Sequence, residues 1–268
     1  MALFDANFFS VSLARPVDVL ILNPSDTPPM FTKGNPHYER PARILYLLHG
    51  YNGNYRDWLI GSPIRDLSSK YNLCIVLASG ENSFYVDQKG TGRKYDRFFS
   101  SDLPDFVQKM FHLSAAPSDN FIGGFSMGGS GALTIGLGHP DRFGGVIALS
   151  SALIQHQLPK MKPTDVNPMA DYDYYVSTFG DLSKVEGSEK DPEALALKDK
   201  DAGNLPRIFL SCGSEDFLIA TNRAYEKFLT DHDIEHHYEE HPGAHNWDFW
   251  NRVIEPGVRY VLGEDASN

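Results

Sequence analysis

Cysteine is scarce in this chain: there are two, Cys74 and Cys212, in 268 residues. Each lies inside an apolar run that reads as a strand. That excludes a disulfide framework and leaves two buried thiols as the expectation. Positive charge is also short, with 24 Lys and Arg against 35 Asp and Glu, a net charge of −11. A chain this acidic lacks the basic stripe that a nucleic-acid backbone requires. It also lacks the Lys/Arg cluster that would hold it to an anionic membrane. No apolar run reaches the roughly 18 residues of a membrane span. The opening Met1–Phe9 carries Asp5 and no basic segment ahead of an apolar block. It does not read as a signal peptide, so a cytoplasmic location is the expectation. There is no internal repeat and no H-E-x-x-H, and neither a metal nor an organic cofactor is expected.

What is present is an ordinary globular balance, 41% hydrophobic and 22% charged. A chain of this length buries roughly three quarters of its unfolded surface. The opening alternates. Phe9, Val11 and Leu13, then Val17, Val19 and Ile21, predict two antiparallel strands around Ala14–Pro16. Pro24 to Pro41 reads as loop. Strand–helix alternation follows. Continuous apolar runs at Arg43–Leu48, Leu73–Ala78, Asn120–Phe125, Gly145–Ser150 and Arg207–Cys212 suit strands covered on both faces, and Ile234–Glu239 is the last strand. Helices are predicted at Pro63–Tyr71, Ser101–His112, Gly128–Gly138, Ile219–Asp231 and Trp247–Leu262. Successive βα units give an α/β fold with a mostly parallel sheet between helical layers. Residues 153–204 break the rhythm. That polar stretch, with Tyr172, Tyr174, Tyr175 and Phe179, reads as a cap inserted into a single domain over 1–268.

Gly124-Phe-Ser-Met-Gly128 is a G-x-S-x-G. The pattern is weak alone in a chain with 23 glycines, but here it joins a strand to a helix of small apolar residues. A serine at such a turn is lifted above the sheet edge, and side chains two before and two after it would collide. The helix N-terminus behind it offers the N–H of Met127 to a developing oxyanion. A serine hydroxyl needs a base, and the base needs an orienting acid. In this architecture the order is Ser, acid, His. The acid belongs in Gly213-Ser-Glu-Asp-Phe217, where Asp216 is favoured and Glu215 is the alternative. The base comes from a histidine further on. His245, in Pro242-Gly-Ala-His-Asn-Trp247 at the sheet's C-terminal edge, is the choice, and His241 is the fallback. Spacing also permits a metal reading of His237, His241 and His245, without the accompanying carboxylate motif. In Leu48-His-Gly-Tyr-Asn-Gly53, Gly50 lets the chain turn so that the N–H of Tyr51 supplies a second oxyanion donor. His49 reads as a residue that pins this loop. Trp58 and Trp247, close to these motifs, are candidate substrate contacts together with Gly50.

The oxyanion loop with Asp57-Trp-Leu59, the elbow, Cys212-Gly-Ser-Glu-Asp-Phe-Leu218 and Gly243-Ala-His-Asn-Trp-Asp-Phe-Trp250 together resemble the α/β-hydrolases of the Putative esterase family. These form the esterase D and tributyrin esterase group, with carbohydrate acetyl and feruloyl esterases, S-formylglutathione hydrolases and mycolyltransferases as relatives. The likeness runs over almost the whole chain. It implies a serine carboxylesterase working on a small-molecule ester through Ser126, His245 and Asp216, with a preference for short acyl chains. Trimming acetyl or feruloyl groups from plant polysaccharide fragments is the alternative. The S-formylglutathione hydrolases carry a Thr–Cys pair after His-Gly-Leu, where this chain has Tyr51-Asn52-Gly53, which argues against that assignment. Relatives often self-associate, and a homo-oligomer is compatible with the sequence. A binding module on the same fold would have no use for the complete catalytic set.

Overall fold

The computed structural model describes residues 1–165 and 170–264. Eight strands form one sheet in the order β1-β2-β4-β3-β5-β6-β7-β8. They are β1 Ala2–Ser10, β2 Arg15–Asn23, β3 Arg43–Leu48, β4 Leu73–Ala78, β5 Asn120–Phe125, β6 Gly145–Leu149, β7 Arg207–Gly213 and β8 His237–His241. The first two pair antiparallel, as their alternation predicts, and β2 runs antiparallel to β4. Every later pairing is parallel.

The central strands read as continuous apolar runs because both faces are covered. Along β3, Ile44, Tyr46 and Leu48 enter one core, while Leu45 and Leu47 enter the other. The short helices α1 (Pro29–Thr32) and α2 (Asp57–Gly61) lie in loops. The second core is roofed by α3 (Ile64–Tyr71) and α10 (Trp247–Leu262). The first is roofed by α5 (Leu103–Phe111), α6 (Met127–Gly138) and α9 (Ile219–Asp231), with the single turn α4 (Tyr95–Arg97) leading into α5.

Between β6 and β7 lie α7 (Tyr172–Phe179) and α8 (Pro192–Ala202). Residues 166–169 of the expected cap fall outside the described residues. Helix α8 buries Leu195 and Ala196 in the same core as α6 and α9. Helix α7 instead leans on the loop after β3, where the Tyr174 and Tyr51 rings meet edge to face at 5.7 Å. The Tyr174 hydroxyl also donates to the Asn82 carbonyl at 2.7 Å.

Three boundaries differ from the sequence reading. The last strand is displaced from Ile234–Glu239 to His237–His241. Ile234 is instead buried in the first core, and Asp233 turns the chain with φ 49°. The helix expected from Ser101 begins at Leu103, after a wide turn over Phe98–Asp102. There the Asp102 carboxylate is tied to the β1–β2 turn by Ser10 Oγ at 2.6 Å and the Ser12 N–H at 2.8 Å. Pro24–Pro41 carries short helical turns rather than plain loop. Both cysteines are free and buried, and burial pushes each thiol up to about 12. Among the described residues no helix is long and apolar enough to cross a membrane.

Candidate active site

Four connections gather at the C-terminal edge of the sheet: those after β3, β5, β7 and β8. Ser126 ends β5 and caps α6 with φ 58° and ψ −122°. That backbone conformation is strained for a residue with a side chain. Bonds on both sides hold it: the Ser126 N–H donates to the Leu149 carbonyl at 2.9 Å, and its carbonyl accepts from Gly129 and Ala152, each at 3.0 Å.

The glycines of the elbow have identifiable neighbours. A Cβ on Gly124 would stand 2.5 Å from the Gly128 carbonyl oxygen. One on Gly128 would stand 2.5 Å from the Leu48 carbonyl oxygen and 2.6 Å from that of His49. The strand, the elbow and the loop after β3 therefore touch backbone to backbone. Gly50 continues that contact, since a Cβ there would lie 3.4 Å from Ser126 Cβ and 2.6 Å from the Phe125 ring. Met127 is the first residue of α6, and the first N–H groups of a helix have no partner within it.

The loop after β3 is held from below. His49 Nε2 accepts from the Gly80 N–H at 2.9 Å, which places the ring proton on Nδ1, donating to the Gly50 carbonyl at 2.7 Å. Burial lowers the His49 pKa, so the ring stays neutral. The Tyr85 hydroxyl donates to the His49 carbonyl at 2.8 Å, and Trp58 Nε1 donates to the Leu48 carbonyl at 2.9 Å.

Across the edge, Asp216 is 2% exposed and its carboxylate lies 2.9 and 3.1 Å from His245 Nδ1. Burial alone would raise the Asp216 pKa. The bonds from His245, from the Leu218 N–H at 2.9 Å and from Ser150 outweigh it and hold the carboxyl below its ordinary value. With Nδ1 committed to Asp216, Nε2 is the ring nitrogen left to take a proton. Glu215 is exposed. His237 Nε2 and His241 Nε2 both face Glu239, at 2.9 and 3.2 Å, so those rings are not gathered with His245.

A cavity of about 400 Å³ opens on Ser126 and Met127, walled by Tyr51, Phe84, Ile154, Tyr175 and Phe217. The two tryptophans expected to touch substrate are elsewhere. Trp58 is 1% exposed and belongs to the core on the α3–α10 side of the sheet. Trp247 stacks against it edge to face at 5.3 Å, with Phe125 at 4.8 Å from Trp247. Both support the loops from behind, because flat rings fill the space that the glycine-tight edge leaves beneath it. The cavity wall is made instead by Phe84, Ile154, Tyr175 and Phe217, none of which carries a motif. Ser150 was also missed. With φ 46° it turns after β6, accepts from Trp250 Nε1 at 3.1 Å and bonds Asp216. No sequence signal marks it beyond its place at the end of an apolar strand.

A fold with a strained serine at this junction, and an acid–imidazole pair across the same edge, defines the class of α/β-hydrolases. The family model described as Putative esterase matches residues 10–260, and the chain belongs to that family. The acetyl esterase of Caldicellulosiruptor saccharolyticus is 42% identical over 255 residues, covering 95% of this chain and 96% of its own. The diacylglycerol acyltransferase/mycolyltransferase Ag85A of Mycobacterium tuberculosis is 26% identical, over 82% of this chain and 73% of its own. In fold the chain resembles the fluorophosphonate-binding serine hydrolase F of Staphylococcus aureus, with a TM-score of 0.82 at 24% identity, covering 97% and 98% of the two chains. It also resembles a ferulic acid esterase, with a TM-score of 0.74 at 20% identity over 98% of each chain. The protein is a carboxylic ester hydrolase.

Proposed function

We propose that this protein is a serine carboxylesterase that removes short acyl groups through an acyl-enzyme on Ser126. One observation carries the reading: the strained Ser126 and the Asp216–His245 pair belong to connections on the same sheet edge. In the first step Ser126 Oγ attacks the ester carbonyl carbon while His245 Nε2 takes its proton. Asp216 holds the tautomer and stabilises the imidazolium. The N–H groups of Tyr51 and Met127 bind the oxyanion, each contributing on the order of 3 kcal/mol to the barrier reduction. The bond to the alcohol oxygen then breaks, and His245 returns the proton to that oxygen. Water attacks the acyl-enzyme with His245 again as base, and Ser126 is released. No step calls for a metal or an organic cofactor.

The substrate is a small-molecule ester whose acyl group lies between Tyr51, Phe84 and Tyr175. Residues 153–204 act as the cap of a single domain, with α7 supplying Tyr175. A second reading, removal of acetyl or feruloyl groups from polysaccharide fragments, is favoured by those aromatic walls and by the 42% identical acetyl esterase.

The test pairs a fluorophosphonate probe with a series of p-nitrophenyl esters from acetate to laurate. Labelling of the wild type, none of Ser126→Ala, a fall in kcat of several orders of magnitude and the best kcat/KM at acetate or butyrate are expected. Labelling that persists in folded Ser126→Ala would remove the serine from its role.

A further inference from the structure

The strongest unassigned feature is a second cavity beside the first, of about 520 Å³. Gln157 and Thr221 line both, so the two spaces share a wall. We infer that the leaving alcohol is a sugar ring seated on Phe217, and that further sugar units continue into this second cavity along α9. The inference rests on the esterase reading above and extends it to the alcohol half of the substrate.

Direction comes from the proton. The departing oxygen must lie within hydrogen-bond reach of the imidazole that protonates it. The His245 ring faces Phe217, with centroids 4.6 Å apart. The alcohol therefore leaves on the Phe217 side, and the acyl group lies away from it. From Phe217 the chain passes through Leu218 into α9, whose Thr221 brings the path to the second cavity.

Chemistry selects the sugar. Phe217 is 70% exposed, while the other aromatic walls of the site are half-buried or buried. An uncovered ring at the mouth offers a flat apolar face, the complement of the C–H face of a pyranose. Beyond it the floor is apolar, from Leu153, Met161 and Ala224, and the rim carries Gln157, Lys160 and Glu193. Apolar floor with amide, ammonium and carboxylate rim matches a ring whose edge bears hydroxyls. A hydrocarbon alcohol would leave that rim desolvated without partners.

The experiment uses acetate esters that differ only in the alcohol: ethyl acetate, octyl acetate and mono-acetylated xylotetraose. Each is measured on the wild type, Phe217→Ala, Phe217→Trp, Ala224→Trp and Ser126→Ala. The readout is kcat/KM for the sugar ester divided by that for ethyl acetate. Phe217→Ala and Ala224→Trp should each lower this ratio about tenfold, mainly through KM, and Phe217→Trp should keep it. A ratio unmoved in both folded variants overturns the sugar seat, as does a fall confined to octyl acetate. Hydrolysis of ethyl acetate by Ser126→Ala would instead overturn the esterase site itself. An inactive Ser126→Ala beside unmoved ratios leaves that site standing and removes only the sugar seat.

Discussion

The two walls that face Ser126 are built differently. On the β3 side the contact is backbone against backbone: Gly50, Gly124 and Gly128 admit no Cβ, and the loop is tied by His49, Tyr85 and Trp58. On the opposite side the wall is made of side chains, from Ile154, Gln157 and Tyr175 to Phe217. Backbone donors positioned without slack suit a reaction whose oxyanion is the same for every ester. A side-chain wall suits a choice of substrate, because it can change residue by residue without disturbing the donors.

The largest effect that separates the walls is expected from Gly128→Ala. Its Cβ would meet two carbonyl oxygens within 2.6 Å, and neither is the end of a flexible side chain. Overpacking of about 1–3 kcal/mol should lower Tm, and the displaced loop should cost roughly 10²-fold or more in kcat. Full activity with an unchanged melting curve would show that the backbone contact is looser than described.

Trp58→Phe keeps the ring and deletes the N–H that holds the Leu48 carbonyl. About 1 kcal/mol of stability should go with it. The fall should appear in kcat with KM held, for every ester alike. A change in substrate preference would return Trp58 to the side-chain wall.

On that wall Tyr175→Ala should act the other way. Room for one or two more methylene groups, at about 0.8 kcal/mol each, should raise kcat/KM for hexanoate over acetate roughly tenfold. Steady-state rates on the acyl series decide this, with acetate turnover as the internal reference.

The smallest effect is expected at His156, whose Nδ1 lies 2.7 Å from Glu186 and Nε2 3.0 Å from Glu193. A neutral imidazole can donate to only one of them. The bond to Glu193 is the leading cause of a raised His156 pKa, against some loss to burial. With the folded value above the unfolded one, the stabilisation is complete below about pH 6.5. It is lost as pH rises through the raised folded value. The Tm difference between wild type and His156→Gln should therefore shrink from pH 6 to pH 9. A difference that grows with pH would exclude the double ion pair.

Much of this was legible in the sequence, and the reasons divide along the same line. Strands β3 to β7 are apolar throughout because both faces are covered, so their runs could be read directly. The glycines of the elbow stand where carbonyl groups press, and that pressure is local enough to leave a motif. Strand β8 was misplaced because its residues, His-Tyr-Glu-Glu-His, are those of a sheet edge, and the apolar Ile234 beside it serves the core instead. Trp58 and Trp247 were read as substrate contacts because nearness to a motif along the chain says nothing about which face of the sheet a ring fills. Phe84, Tyr175 and Phe217 were passed over because a side-chain wall assembled from distant segments has no spacing to recognise. Ser150 needed Trp250 and Asp216 folded against it before it meant anything.

The conformation of Ser126 has one more consequence. Holding φ at 58° and ψ at −122° on a residue with a Cβ costs of order 1–3 kcal/mol. Glycine occupies that region without penalty. A gene copy relieved of the duty to hydrolyse anything would thus gain thermal robustness by a single replacement at this site. Keeping serine there marks a chain still under selection to do chemistry at the expense of its own durability.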